Sequence, residues 1–160
     1  MRKVYRVLAF LVAIEVALQA MFIVYGDAGL GLWVDDGGVV DKATFENAFE
    51  SGEAPFPEFQ AFILHGMNGM MVIPLLALLL VISSFFAKVP RGVAFAFGVL
   101  VLVLLQVTLG LMGHSIAALG ALHGLNALAL FSVAAWTGIR SRAGAASKGA
   151  DRESAERVAV

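Results

Sequence analysis

Four runs of this chain, near residues 7–25, 58–87, 92–112 and 116–139, are almost free of charge. A helix needs about 20 apolar residues to cross the hydrocarbon core of a bilayer, and each run is of that order. A soluble fold has no use for four such segments. The composition agrees: 60% of the 160 residues are hydrophobic, 14% are charged, and the mean hydropathy is +0.88, far more apolar than a soluble domain. The predicted fold is an all-α integral membrane protein. Residues 1–139 form a four-helix bundle, with an acidic extracytoplasmic loop (residues 26–58) between its first and second helices.

The segments between the runs set the orientation. Arg2, Lys3 and Arg6 precede the first run, Lys88 and Arg91 separate the second from the third, and residues 140–160 carry further Arg and Lys. Residues 26–58 hold eight acids against the single base Lys42, and the turn at 113–115 has no Lys or Arg. The positive-inside rule then places both termini in the cytoplasm of a multi-pass cell-membrane protein. A basic start before an apolar run is also the pattern of a signal peptide. The length of this run, and the lack of a small-x-small site near Tyr25-Gly26-Asp27, favour a membrane helix.

Local signals fill in the connections. Gly26, Gly29, Gly31, Gly37 and Gly38 are expected to end the first helix. Residues 42–49 suit a short interfacial helix with Phe45 and Phe49 on one side, and Trp33 at the same boundary. Pro57 is placed for the first turn of the second span, and Pro74 should bend that span. Residues 88–91 read as a tight turn, and Ser115 as the N-cap of the fourth helix. The Ala, Gly, Ser and charged residues of 140–160 read as a disordered cytoplasmic tail.

One phrase occurs twice inside these spans. Leu64-His65-Gly66-Met67-Asn68 returns as Leu122-His123-Gly124-Leu125-Asn126. Polar side chains are costly in lipid and usually have a task there. His and the Asn three residues later share a helix face, and the intervening Gly lets something bulky approach the backbone. The second and fourth helices run in the same direction. His65 is eight residues past Pro57 and His123 eight past Ser115, roughly 12 Å in from each start. The inner ends match less well, with 23 residues from His65 to Lys88 and 17 from His123 to Arg140. Two imidazoles at one depth suggest axial ligands to one heme b. With no cysteine in the chain, such a heme would be held non-covalently.

Gln106-Val107-Thr108-Leu109-Gly110, followed by His123, Ala127 and Phe131, resembles the third and fourth helices of one half of heme A synthase; His65 with Gly69 resembles the ligand helix second in each half of that family. The resemblance spans about residues 58–138. It implies a four-helix heme bundle with His65 and His123 as the ligand pair. The family's catalytic half has a Glu three residues before the second-helix His and an Arg directly after it. Phe62 and Gly66 stand at those positions, so the oxygenating activity is not implied.

Each candidate also has a plainer reading. An intramembrane His can simply bond between helices, and two His alone leave a bare metal ion short of ligands. Asn68 and Asn126 can pair across the bundle, or address a heme edge or a quinone. His114, in the outer turn, is either an exposed interfacial residue or a contact to a heme propionate. Glu15, with Gln19 one turn on, is the one carboxylate well inside a span: either a functional group or a protonated helix–helix partner. No basic stripe with aromatics is present, which sets nucleic acid aside. The expected function is b-type heme electron transfer, with a quinone or a respiratory or other redox membrane complex as partner, in a homo- or hetero-oligomer. The alternative is a non-catalytic accessory or assembly subunit of a larger membrane complex.

Overall fold

The computed structural model describes the backbone of residues 1–158 and the side chains through Ser141. Every regular element in it is helical: α1 (Arg2–Asp35), α2 (Lys42–Ser51), α3 (Gln60–Met67), α4 (Ile73–Ala87), α5 (Gly92–Gly113) and α6 (Ala117–Val158). A 3-10 turn, Pro57–Phe59, leads into α3, and a π turn, Asn68–Val72, joins α3 to α4. Four segments are long and apolar enough to cross a membrane: Arg2–Asp35, Pro57–Ala87, Gly92–Gly113 and Ala117–Ser141. They are compatible with a multi-pass membrane protein.

The chain divides into two compact units, one of Met1–Val16 with Ile73–Val160, the other of Ala17–Val72. In the first unit every helix buries one narrow stripe. Tyr5, Ala9, Val12 and Val16 face inward from α1, Ile73, Ala77, Leu80 and Ala87 from α4, Ala96, Val99 and Val103 from α5, and Leu130 and Ala134 from α6. These positions recur every three or four residues, as one helix face requires. Small residues dominate the contacts, while Leu78, Phe85, Leu104 and Leu128 are exposed. That is the pattern of helices packed closely to each other with apolar faces left for lipid.

Polar groups pin this unit where the apolar stripe cannot. The Tyr5 hydroxyl is buried and donates to Gly92 O at 2.9 Å, and Arg2 donates to Lys88 O at 3.0 Å. Lys88 and Arg91 adopt left-handed backbone (φ 51° and 55°), which reverses the chain within the expected tight turn. Arg140 lies 4.7 Å from the centre of the Phe95 ring. Continuation of α6 to Val158 takes a helix through the segment expected to be a disordered tail, whose residues include Ala, Arg and Glu, all good helix formers. The side chains past Ser141 and residues 159–160 lie outside the described residues.

The second unit has an aromatic core. Phe59 is fully buried, edge-on to Phe56 at 5.7 Å and to Phe62 at 6.0 Å, while Trp33 stacks on Phe56 at 5.4 Å. Phe45 and Phe49 share one face of α2, as expected, and both meet the Phe59 ring. Asp41 caps α2 by accepting from Thr44 N at 2.7 Å, and Gly52 ends it in the left-handed region (φ 76°). The hydrogen bonds from Thr44 hold the Asp41 carboxyl below its ordinary value of 3.8.

Three expectations change. First, α1 does not stop at its glycines but runs to Asp35, so the connection to α2 is shorter than residues 26–58. Gly26 and Gly29 are contact points: a Cβ on Gly26 would strike the Phe62 ring at 2.7 Å, and one on Gly29 would fall inside the Glu58 side chain. Second, Ser115 is not the cap of α6. The Ile116 carbonyl accepts from Leu119 N at 2.9 Å, and the helix starts at Ala117, so His123 is six residues into its helix rather than eight past a cap. Third, the effect of Pro74 appears ahead of it. Proline lacks an N–H and crowds the carbonyl four residues back, here Met70 inside the π turn.

Candidate functional site

Each repeated histidine is seated in the same way within its own unit. His65, half-buried on α3, has Nδ1 3.2 Å from the main-chain oxygen of Gln19 on α1. His123, half-buried on α6, has Nδ1 2.9 Å from the main-chain oxygen of Gln106 on α5. A carbonyl oxygen only accepts, so Nδ1 must carry the proton in both rings. The lone pair of each neutral imidazole is therefore on Nε2. This is the tautomer that a metal-ligating histidine commonly adopts when a carbonyl holds its other nitrogen.

The seats extend the repeat beyond the five-residue phrase. Leu18-Gln19 is followed seven residues after the Gln by Gly26, and Leu105-Gln106 seven residues after by Gly113. Each Leu-Gln pair lies on the helix that anchors the histidine of its unit. Sequence reasoning used Gln106 only through the family resemblance and noted Gln19 only beside Glu15. Gln19 lies 46 residues before its His and Gln106 only 17 before its own, so no single alignment of the two halves brings both pairs together.

The second seat is close at its glycine. A Cβ on Gly110 would lie 3.0 Å from Cε1 and 3.1 Å from Nδ1 of His123, so a larger residue there would press on the imidazole. Gly69, one turn past His65, faces Gln19 instead: its Cβ would lie 3.3 Å from Gln19 Oε1. At Gly66 and Gly124 a Cβ would meet nothing within 4 Å. Both positions are open, as a bulky neighbour would need.

The two asparagines differ. Asn126 is buried and donates through Nδ2 to Gln106 Oε1 at 2.6 Å and to Leu102 O at 3.0 Å. It ties α6 to α5, which is the helix-pairing alternative for this residue. Asn68 is half-buried at the head of the π turn. Gln19 is buried, and its Nε2 has no hydrogen-bond partner. His114 is exposed just past the end of α5, and Glu15 is half-buried on α1. Among the described residues no group of three or more His, Cys, Asp or Glu could hold a metal ion. A porphyrin iron asks the protein for one or two axial ligands only. Comparison of the chain with protein-family models, curated proteins and solved structures finds no match.

Proposed function

We propose that this is a b-type heme protein of the cell membrane, a single bundle akin to one half of heme A synthase, in which His65 and His123 are the axial ligands. The observation that carries the reading is the repeated seat: both imidazoles are held at Nδ1 by the main-chain oxygen of a glutamine on a neighbouring helix. The anchors fix each tautomer and orient Nε2 for coordination. Gly66 and Gly124 leave the ligand helices bare on either side of the phrase, and Gly110 lets the His123 ring settle. Asn126 holds Gln106, whose oxygen holds His123, so it is a positioning residue rather than a contact to the macrocycle.

A heme with two histidine ligands supplies one-electron transfer and leaves no open position for oxygen. The chain's own residues would set its position, its dryness and its potential. With the termini cytoplasmic, the Asp- and Glu-rich connection of α1 and α2 faces outward as an acidic cover, and a redox membrane complex or quinone is the partner class. His114 would border that outer side.

An absorption spectrum of protein purified from heme-replete cells tests the reading. Bis-imidazole iron is low-spin, so the reduced protein should show a sharp, split α/β pattern. A colourless protein would overturn it and favour an accessory or assembly subunit, docking a larger complex through the acidic segment. Topology is tested by labelling cysteines introduced at Glu50 and Ser147, which should react from opposite sides of the membrane.

A further inference from the structure

Gln19 belongs to the unit Ala17–Val72 and is only 9% exposed. Its main-chain oxygen holds His65, but its side-chain Nε2 is buried without a hydrogen-bond partner, the one such side-chain atom among the described residues. An amide nitrogen carries two donor hydrogens, and burying them unmet is a cost that native proteins rarely carry without a reason. In the other hairpin it is the amide oxygen of Gln106 that is met, by Asn126 Nδ2. A donor left over beside a candidate redox ligand points to an acceptor that arrives from outside the chain.

We propose that Gln19 Nε2 is the donor of a quinone site, binding a carbonyl oxygen of a membrane quinone lodged against the His65 segment. The acceptor would come through lipid, because Gln19 lies mid-way along α1, 17 residues from Arg2 and 16 from Asp35, roughly 25 Å from either end. It must also be uncharged. The only Lys or Arg between residues 17 and 72 is Lys42, exposed on α2 and paired with Glu46 at 3.3 Å. Glu15, one turn before Gln19 on α1, is an acid. A carboxylate or phosphate would be buried without a counter-ion, whereas a ketone oxygen needs only the amide.

Gly69 presents no side chain to the Gln19 amide, and the neighbouring Met67, Met70 and Met71, in and beside the π turn, are all exposed. Thioether side chains repack easily around an apolar guest. The choice of a quinone among neutral carbonyl compounds rests on the redox reading above; the unmet donor stands without it.

The test is equilibrium binding of a labelled short-chain benzoquinone to the full chain in lipid nanodiscs, corrected with empty discs, in heme-loaded and heme-free preparations. The expected result is saturable binding at one per chain, weakened about tenfold or more in Gln19→Leu, the loss of one buried hydrogen bond. Helix content should be unchanged. Gly69→Ala is the second variant: its methyl would displace the amide, weakening binding while the chain still folds. Absence of saturable binding, or equal affinity in both variants, overturns the proposal. So does a Gln19→Leu variant that alters only the heme spectrum. Colourless protein that still binds quinone would separate the two readings, removing the heme and keeping this site.

Discussion

The α5–α6 hairpin and the α1–α3 pair build the same imidazole seat from the same residue types, yet only one of them closes its polar groups. In the former, Asn126 Nδ2 meets Gln106 Oε1, and no buried side-chain polar atom is left without a partner. In the latter, the helix turns to π geometry at Asn68, and Gln19 Nε2 has no partner. Pro74 follows that turn; the position 58 residues on is Ser132, which bonds back to Leu128 O at 2.8 Å inside an unbroken helix.

The hardest test of the equivalence is removal of either proposed ligand. His65→Ala and His123→Ala should each abolish the low-spin spectrum, because one missing imidazole opens the iron. His114→Ala should leave it intact. If only one of the two repeated histidines mattered, the seats would not be a pair.

Next in size is the closed amide set. Asn126→Leu strands the acceptors Gln106 Oε1 and Leu102 O in the bundle and should cost about 1–3 kcal/mol in thermal unfolding in detergent. Gln19→Leu removes an unmet donor instead and should leave the melting temperature level or higher. Equal losses in the two variants would erase the contrast between the hairpins.

A smaller effect is expected at the glycines. Gly110→Ala gains helix propensity but pushes on the His123 ring, for a net loss of up to about 2 kcal/mol and a broadened heme spectrum. Gly69→Ala pushes only on the end of a flexible side chain and should change unfolding little.

The slightest effect lies at α2. The carboxylate of Asp41 is held below 3.8 by the Thr44 amide, so its capping contribution is complete above that value and is lost as pH falls through the lower folded value. The amide shift of Thr44 should stay constant from pH 7 to about 5 and move only under stronger acid. Movement near neutrality would show that another group controls this cap.

Four spans, the Pro57 start and the short α2 were legible because each rests on a signal carried by neighbouring residues: run length, a missing N–H, a cap three positions before its partner. Gly26 and Gly29 misled for the opposite reason. A glycine that breaks a helix and one that admits Phe62 or Glu58 look alike until the second segment is in place. The Ser115 cap failed because Ile116 supplies the first accepting carbonyl without any side-chain help. At the candidate site both histidines were legible from their repeated phrase, but their anchors are main-chain oxygens, which every residue possesses. Only the flanking Leu-Gln and Gly spacing carried a trace of them.

The bond between Tyr5 and Gly92 bears on the order of manufacture. Its two residues are 87 positions apart, so at a synthesis rate of about 5–20 residues per second the first waits roughly 4–17 s for the second to be made. During that interval the opening helix has its buried face bare and its hydroxyl without the carbonyl it will end on. A ribosome-bound chain arrested before Gly92 emerges should leave a cysteine at position 5 open to labelling, and one arrested well after α5 is inserted should protect it; protection in both would mean that α1 finds its place unaided.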